Sequence, residues 1–448
     1  MQKKNLITTL SIFSVIFACH LIIFLAFYPG LCTYDLNTQI KQYVNQAFVT
    51  NHPLIHTLFV GFFHDLFAGE SPNYNLGYAL ATIIQLIFVD ASMTYSVSYL
   101  KKKSTNRFTY FVAILFYAVF PVNSLLAISH TKDVLFAAFS LIFFIDSLYF
   151  IENDTKSFNA LFFARMTVNA TLMLLNRNNA VYAMFATIII ICILCFVSHK
   201  KKIATKSLNF AAILILSFIL AIISNKALTM ATNAHNGSIK EAMSIPAQIM
   251  GRIYNTVASE EEKEIISEYI PNAEKYKYYI SDPMKKDLPF EIWESKCKHF
   301  LLDSAIIAVK HPITSVQAVW FNIQGYFDPL HQPYSSDHFF LARHDYRGDA
   351  VQDSKIPVIC NLYVDLFRNT NPSNPFTVIL NMAIYVWSLI ISFIILIKRR
   401  NKVCYAYIFA LLYLLTLLLG PSAIIRYGFI YVIMSPITLF YVFPLKKH

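Results

Sequence analysis

The residues best suited to chemistry in this 448-residue chain sit in polar breaks between long apolar runs. The first break follows Tyr28-Pro29-Gly30 and carries Asp35, Gln39, His52 and His56. Three more are His130-Thr131-Lys132-Asp133, Asn176-Arg177-Asn178-Asn179 and Arg426-Tyr427. A carboxylate and imidazoles fixed at a lipid–water boundary suit proton transfer on a lipid-linked substrate, with Asp35 as base and His52 and His56 beside it. Lys132, Arg177 and Arg426 suit phosphate oxygens, and the two arginines keep their charge when partly desolvated. Gln39, Asn178 and Tyr427 complete a substrate-binding set. Asp133 and His130 have the donor types for a divalent cation such as Mg2+ or Mn2+, or for orienting a phosphate. Asp133 reads equally well as the N-cap of the helix that follows. Polar groups at membrane depth are costly, so four clusters on one side point to function rather than to helix anchoring alone.

The elements that must position these residues are membrane helices. The chain is 56% hydrophobic and 14% charged, with mean hydropathy +0.50, whereas soluble domains carry about 25% charged residues. Apolar runs of about 20 residues, long enough to cross a core of roughly 30 Å, recur along it. The strand alternation of an outer-membrane barrel is absent. The expected fold is therefore an all-α polytopic membrane protein. About ten spans are expected, over 6–28, 74–99, 107–124, 134–151, 157–175, 179–198, 207–225, 376–397, 403–420 and 425–445. The net charge of +11 is topological: Lys3 and Lys4, Lys101 to Lys103 with Arg107, Lys200 to Lys202 with Lys206, Lys398 to Lys402, and Lys446 with Lys447 fall on one side. That side is the cytoplasm, with both termini there, in a multi-pass cell-membrane protein. The four clusters then share the external face.

This organisation gives an N-terminal module over 1–225, whose first external loop is 29–73. An external segment over 226–375 and C-terminal helices over 376–448 follow. Within the loop, 52–68 is too short to span and reads as an interfacial or re-entrant helix. The external segment carries 15 Lys and Arg against 18 Asp and Glu, unlike a nucleic-acid surface. It is expected to pack on the membrane bundle. Ser259-Glu260-Glu261-Glu262 is a capping box, and 289–309 is amphipathic. In SIPAQIMGRIY, Gln248 and Arg252 stand one turn apart and could both aim at a headgroup; a solvated surface helix is the plain alternative. Trp320, Tyr326 and Phe327 read as interfacial anchors more readily than as a sugar platform.

Deeper in the bundle, Asp90 and Arg165 sit at matched depths and suggest an ion pair, while His20 reads as a satisfied core histidine. Seven cysteines lack metal spacing; Cys32, Cys297 and Cys360 fall outside, where one disulfide could form. Only 10 residues are glycine, so packing through small-residue motifs and glycine-broken transporter helices are disfavoured.

The motifs YPGLCTYDLNTQ with NHPLIHT, HTKDVLFA, NRNNAVYA, SIPAQIMGRIY and the terminal GPSAIIRYG together resemble the GT-C class of integral-membrane glycosyltransferases, closest to an uncharacterised Gram-positive bacterial branch. The resemblance covers the chain end to end. It implies a polyprenyl-phosphate-linked sugar donor and a cell-envelope glycan or lipid acceptor at the external face. It places Asp35 at the catalytic acidic position and Asp133 where several members carry a second acid. A paired-acid D-x-D and a W-W-D acceptor motif are both missing. Two other readings stand beside this one: a polysaccharide polymerase or ligase of lipid-linked glycans, and a non-catalytic lipid flippase or transporter. The latter would want charges along a path through the whole bilayer, whereas these clusters gather on one face.

Overall fold

A computed structural model describes residues 2–104, 106–197, 201–285, 290–330, 351–368 and 375–443. Lys200, Lys446 and Lys447 of the basic set lie outside the described residues. Among the described residues the chain is all-α apart from two two-residue strands. In order come α1 (Gln2–Ala26), β1 (Leu31–Cys32), α2 (Tyr34–Val44), α3 (Leu54–Asp65), α4 (Tyr74–Lys103), α5 (Arg107–Val119), α6 (Pro121–Ala127) and β2 (Ser129–His130). Then follow α7 (Lys132–Glu152), α8 (Ala160–Leu175), α9 (Ala180–Val197), α10 (Lys201–Ala231), α11 (Ser244–Thr256), α12 (Glu260–Tyr269), α13 (Asp282–Lys285), α14 (Phe290–Lys310) and α15 (Pro312–Ile323). The last are α16 (Pro357–Arg368), α17 (Pro375–Leu380), α18 (Met382–Lys398), α19 (Ile408–Leu417) and α20 (Phe429–Val442).

Among the described residues five helices are long and apolar enough to cross a membrane: α1, α4, α7, α9 and α10. A sixth span results if α5 and α6, bent by 52°, count as one. The bend falls at Phe120-Pro121, where the proline lacks an N–H and the preceding residue is extended, so one apolar run becomes two helices. The remaining expected spans are shorter than their apolar runs. α8 stops at Asn176, α18 is parted from α17 at Asn381, α19 is preceded by a 3-10 turn over Lys402–Tyr407, and α20 starts only after Arg426. The run of α20 is cut short where its polar cluster turns the chain, whereas α8 ends at Leu175 as expected and starts three residues late.

α7 runs from Lys132 to Glu152, about 30 Å at 1.5 Å per residue, which matches a bilayer core. Its far end is tied to α4 by Lys103 and Glu152, 2.7 Å apart, so one end of the bundle carries lysines and the other the clusters. Large aromatics fill the interior: Tyr78, Tyr99, Tyr117, Tyr407, Tyr413, Tyr431, Phe136 and Phe144 are fully buried. Bulky knobs thus do the packing that small residues do in many membrane bundles, consistent with the scarcity of glycine.

A short parallel ladder positions the first cluster. Leu31 pairs with Ser129 and Cys32 with His130, and the Thr33 hydroxyl donates to the His130 carbonyl at 3.0 Å. The chain reaches it through Gly30, at φ +124°, where a Cβ would lie 2.4 Å from the Thr82 hydroxyl. Glycine is required there by both conformation and space. Segment 29–73 holds two short helices, α2 and α3; Thr33 caps α2 by accepting from Leu36 N. α3 is the short helix expected within 52–68, and Gly61 lets it lie against the Tyr43 ring.

The segment after α10 has a small core of its own, with Met250, Ile253, Ile266, Met284 and Phe300 at its centre. The Ser259–Glu262 capping box forms as expected, and α14 coincides with the amphipathic stretch. The Asn322 amide donates to the Gly420 carbonyl at 2.9 Å, and Ser281 N to the Pro421 carbonyl at 3.1 Å. These bonds seat the segment on the bundle. α16, inside the segment 226–375, lies against α1, with Asp353 N donating to the Tyr28 carbonyl.

Three expectations inside the bundle resolve differently from one another. The Asp90–Arg165 pair does not form: Arg165 reaches Asp146 at 2.5 Å and the Tyr95 hydroxyl at 3.1 Å. Asp90 instead meets His20, Oδ1 to Nδ1 at 2.7 Å. His20 Nε2 lies 2.9 Å from the Tyr117 carbonyl, which only accepts, so the ring donates there. None of the seven cysteines forms a disulfide, Cys32, Cys297 and Cys360 included. His20 and Asp90 are both fully buried, and removing one partner strands the other. His20→Leu alone should cost about 3–5 kcal/mol, whereas His20→Leu with Asp90→Leu should recover most of it. Thermal unfolding of the detergent-solubilised variants measures this; a double variant as unstable as the single one would contradict it.

Candidate active site

The polar clusters meet around one cavity of about 740 Å³ at the end of the bundle away from the Lys103–Glu152 pair. Asp35, His52, Lys132, Arg177, Asn178, Arg426 and Tyr427 all line it. Each comes from the first turn of a helix or from the residues just before one. Asp35 is in the first turn of α2, His52 precedes α3, and Lys132 opens α7. Arg177 and Asn178 precede α9, and Arg426 and Tyr427 precede α20. Five helix N-termini therefore gather at one cavity, each bringing a positive dipole end. That arrangement favours an anion.

The charges interlock. One oxygen of Asp35, Oδ2, accepts from Lys132 Nζ at 3.1 Å and from Arg426 Nη1 at 2.9 Å. Asp133 is clasped by Arg177 Nη1 in a short charge-assisted bond, and its other oxygen accepts from the Thr131 hydroxyl at 3.0 Å. Arg426 Nε stands 3.9 Å from that same oxygen, so Arg426 links both carboxylates. Tyr427 stacks beneath both guanidiniums, 4.6 Å from Arg177 and 5.1 Å from Arg426. Asp282, at the rim, is taken up by Lys285 at 3.2 Å. Lys132, Arg177 and Arg426 against Asp35 and Asp133 leave a net charge of +1.

Burial pushes against ionisation of Asp35, but the neighbouring Arg426 and Lys132 cations outweigh it and hold the carboxyl well below the usual carboxylate range. The imidazoles go the other way. His52 is pushed down to about 4, first by burial and then by the Lys132 ammonium, and His56 to about 3 by the same two causes in the same order. Both are neutral at physiological pH, and their tautomers follow from their partners. Lys132 Nζ, a pure donor, lies 2.9 Å from His52 Nδ1, so that nitrogen accepts and the ring proton sits on Nε2. His52 is thus a neutral hydrogen-bond donor toward the cavity and not a base.

Gln39 and His56 form a layer behind the cavity wall. The Thr57 hydroxyl donates to the Pro53 carbonyl at 3.3 Å and accepts from Gln39 Nε2 at 3.0 Å. Gln39 Oε1 is left to accept from His56 Nδ1 at 3.1 Å. The chain of bonds fixes the proton of His56 on Nδ1 and leaves its buried Nε2 without a hydrogen-bond partner among the described residues. Gln39 and His56 hold the α2–α3 hairpin rather than lining the cavity.

Asp133 and His130 do not suit a metal ion. Asp133 is committed to Arg177 and Thr131, and the cap of α7 is Thr131, whose hydroxyl accepts from Asp133 N. His130 Nε2 contacts the Thr82 hydroxyl at 2.9 Å in the wall behind. Among the described residues no three His, Cys, Asp or Glu side chains come together. Gln248 and Arg252 are also elsewhere. Gln248 donates to the Lys277 carbonyl at 3.2 Å, while Arg252 donates to Gln317 at 2.8 Å and lies 4.7 Å from the Phe321 ring. They hold α11 against α15, because their helix turns that face to its own small core. Tyr326 is buried, and Trp387 Nε1 donates to the Phe327 carbonyl at 2.8 Å; neither ring lines the cavity.

The sequence reading missed Thr50, Asn51 and Thr416. Asn178 Nδ2 donates to the Thr50 carbonyl at 2.9 Å, and Asn179 Nδ2 to the Thr416 hydroxyl at 3.0 Å. Gly237 N donates to the Thr50 hydroxyl at 2.9 Å, which closes one wall with the segment after α10. The asparagine run at 176–179 was the only hint of these bonds.

The depressed imidazoles have a consequence for stability. Between about pH 6.5 and 4 the unfolded chain takes up protons on His52 and His56 that the folded chain refuses, so stability falls with pH in that window. Below about pH 3.8 the folded chain likewise refuses the proton that unfolded Asp35 accepts, and the fall continues. Thermal unfolding of solubilised protein from pH 8 to 4 should show the loss. His52→Gln should flatten the pH 6.5–4 portion, and an unchanged slope would contradict the assignment.

None of the curated proteins matches the sequence. One family model does, over residues 44–444, and its span takes in His52, Lys132, Arg177 and Arg426 but begins beyond Asp35. By that match the chain belongs to DUF6020, a family of unknown function.

Proposed function

We propose that this protein is a membrane glycosyltransferase of the GT-C kind. In this reading it crosses the membrane about ten times, with both termini cytoplasmic and the cavity external. It moves a sugar from a polyprenyl-phosphate-linked donor to a cell-envelope acceptor. The observation that carries the reading is the convergence of Lys132, Arg177 and Arg426 with the acid Asp35 in one cavity at the end of apolar helices.

The chemistry is an in-line displacement. The acceptor hydroxyl gives its proton to Asp35 as its oxygen bonds to the anomeric carbon. The bond from that carbon to the phosphate oxygen breaks, and its electron pair leaves on the phosphate. Lys132, Arg177 and Arg426 take up the charge that develops there, with His52 Nε2–H as a neutral donor. At rest, Asp35 is a weak base because two cations share one of its oxygens. A donor phosphate competes for those cations, and as they turn to it the carboxylate recovers basicity at the moment the acceptor needs it. A polymerase or ligase of lipid-linked glycans would use the same donor chemistry and differs in the acceptor.

With a lipid-linked sugar donor and membranes containing the protein, Asp35→Asn should lower transfer by about 10²–10⁴-fold at unchanged abundance. Arg177→Ala should weaken donor binding by roughly 10- to 100-fold, through loss of a charge-assisted bond. Normal transfer by Asp35→Asn removes the assignment of the base. Glycan and lipid analysis of envelopes with and without the protein separates the two acceptors. A missing sugar decoration supports single transfer, and a build-up of unextended lipid-linked repeat supports polymerisation.

A further inference from the structure

A second cavity, of about 410 Å³, lies at the opposite end of α7, where Phe150, Ile191, Leu194, Lys206, Phe210 and Lys402 line it. Its volume is within the range of small-molecule pockets, roughly 300–1,000 Å³. It has no share in the chemistry above, since α7 holds the two cavities about 30 Å apart. Its walls are apolar: Phe150 and Phe210 stack at 5.5 Å, and Ile191 and Leu194 come from α9. Its charged groups are Lys206, Lys402 and Asp154, a net +1.

Lys206 does not snorkel freely as interfacial lysines often do. Its ammonium donates to the Ile151 carbonyl at 2.8 Å and the Asn153 carbonyl at 2.6 Å, which pins it at the cavity. Lys402, also in the lining, is exposed. Beyond the mouth, α9 and α10 present exposed apolar side chains: Ile193 at 54%, Phe196 at 88% and Leu208 at 60%. A pinned cation, a half-open aromatic pocket and an apolar track leading away form a sequence that matches a phosphate joined to an acyl chain. A soluble anion would have no use for the track, and a neutral lipid no use for the lysines.

We propose that this cavity binds one anionic phospholipid, its phosphate between Lys206 and Lys402 and an acyl chain along α9 and α10. The site is independent of the glycosyltransferase reading. The test uses the full chain purified in detergent, with lipid retention followed by native mass spectrometry. Phosphatidylglycerol should be retained and phosphatidylcholine not. Lys402→Gln should weaken retention roughly fivefold, the effect of one basic residue near an anionic surface. Leu194→Trp, which fills the pocket without changing charge, should weaken it at least as much. Should that variant not fold, the exposed Lys402→Gln still decides. Equal retention of both lipids, or no change in Lys402→Gln, overturns the proposal. So does displacement of the lipid by an equal concentration of glycerol phosphate, which would show that the site reads phosphate alone.

Discussion

The structure turns on one oxygen atom. Asp35 Oδ2 receives Lys132 from the start of α7 and Arg426 from just before α20, residues 97 and 391 positions away in sequence. In water such a pair of contacts would be worth little. Here the side chains are 80–92% withdrawn from solvent, and an uncompensated charge at that depth costs several kcal/mol. The carboxylate therefore dictates where the two ends of the chain must meet. Asp133 repeats the device with Arg177, and Arg426 joins the two pairs, so the five charges stand or fall as a unit.

Backbone geometry prepares that meeting. The Leu31–Cys32 ladder fixes the loop after α1 against the turn before α7. The residues that follow each strand start a helix almost at once, which brings Asp35 and Lys132 within reach. Because every contributing segment is entering a helix, the positive ends of their dipoles share the same space. An anion site thus arises from chain direction as much as from side-chain charge.

Much of this was readable in the residues themselves. Breaks in hydrophobicity are unmistakable in a chain whose apolar runs are so long, and polar residues in such breaks have few places to go. Asp35, Lys132, Arg177 and Arg426 were found that way, and they do converge. The failures have a common cause. Depth along a helix is legible, but the direction a side chain faces is not. Asp90 and Arg165 share a depth yet face different helices. Gln248 and Arg252 share a helix face, and that face turns to a small local core. Roles depending on a proton's position, such as the neutral donor His52, are written in the partners, and a sequence does not name partners. Helix lengths differ from the apolar runs for a related reason: an apolar stretch such as that of α20 continues past the turn where its polar cluster cuts the helix short.

The buried imidazole of α1 has a bearing on all of this. His20 meets Asp90 of α4 at one depth only. Sliding α1 by a single turn, about 5.4 Å, would pull the two groups apart and abandon both in hydrocarbon. They act as a pin that sets the vertical position of the first helix. The elbow at Tyr28 to Gly30 inherits that height ten residues later, and so does the acid that follows it. The level of the charged cavity relative to the bilayer is thereby fixed from within the bundle, by a contact that lies outside its lining.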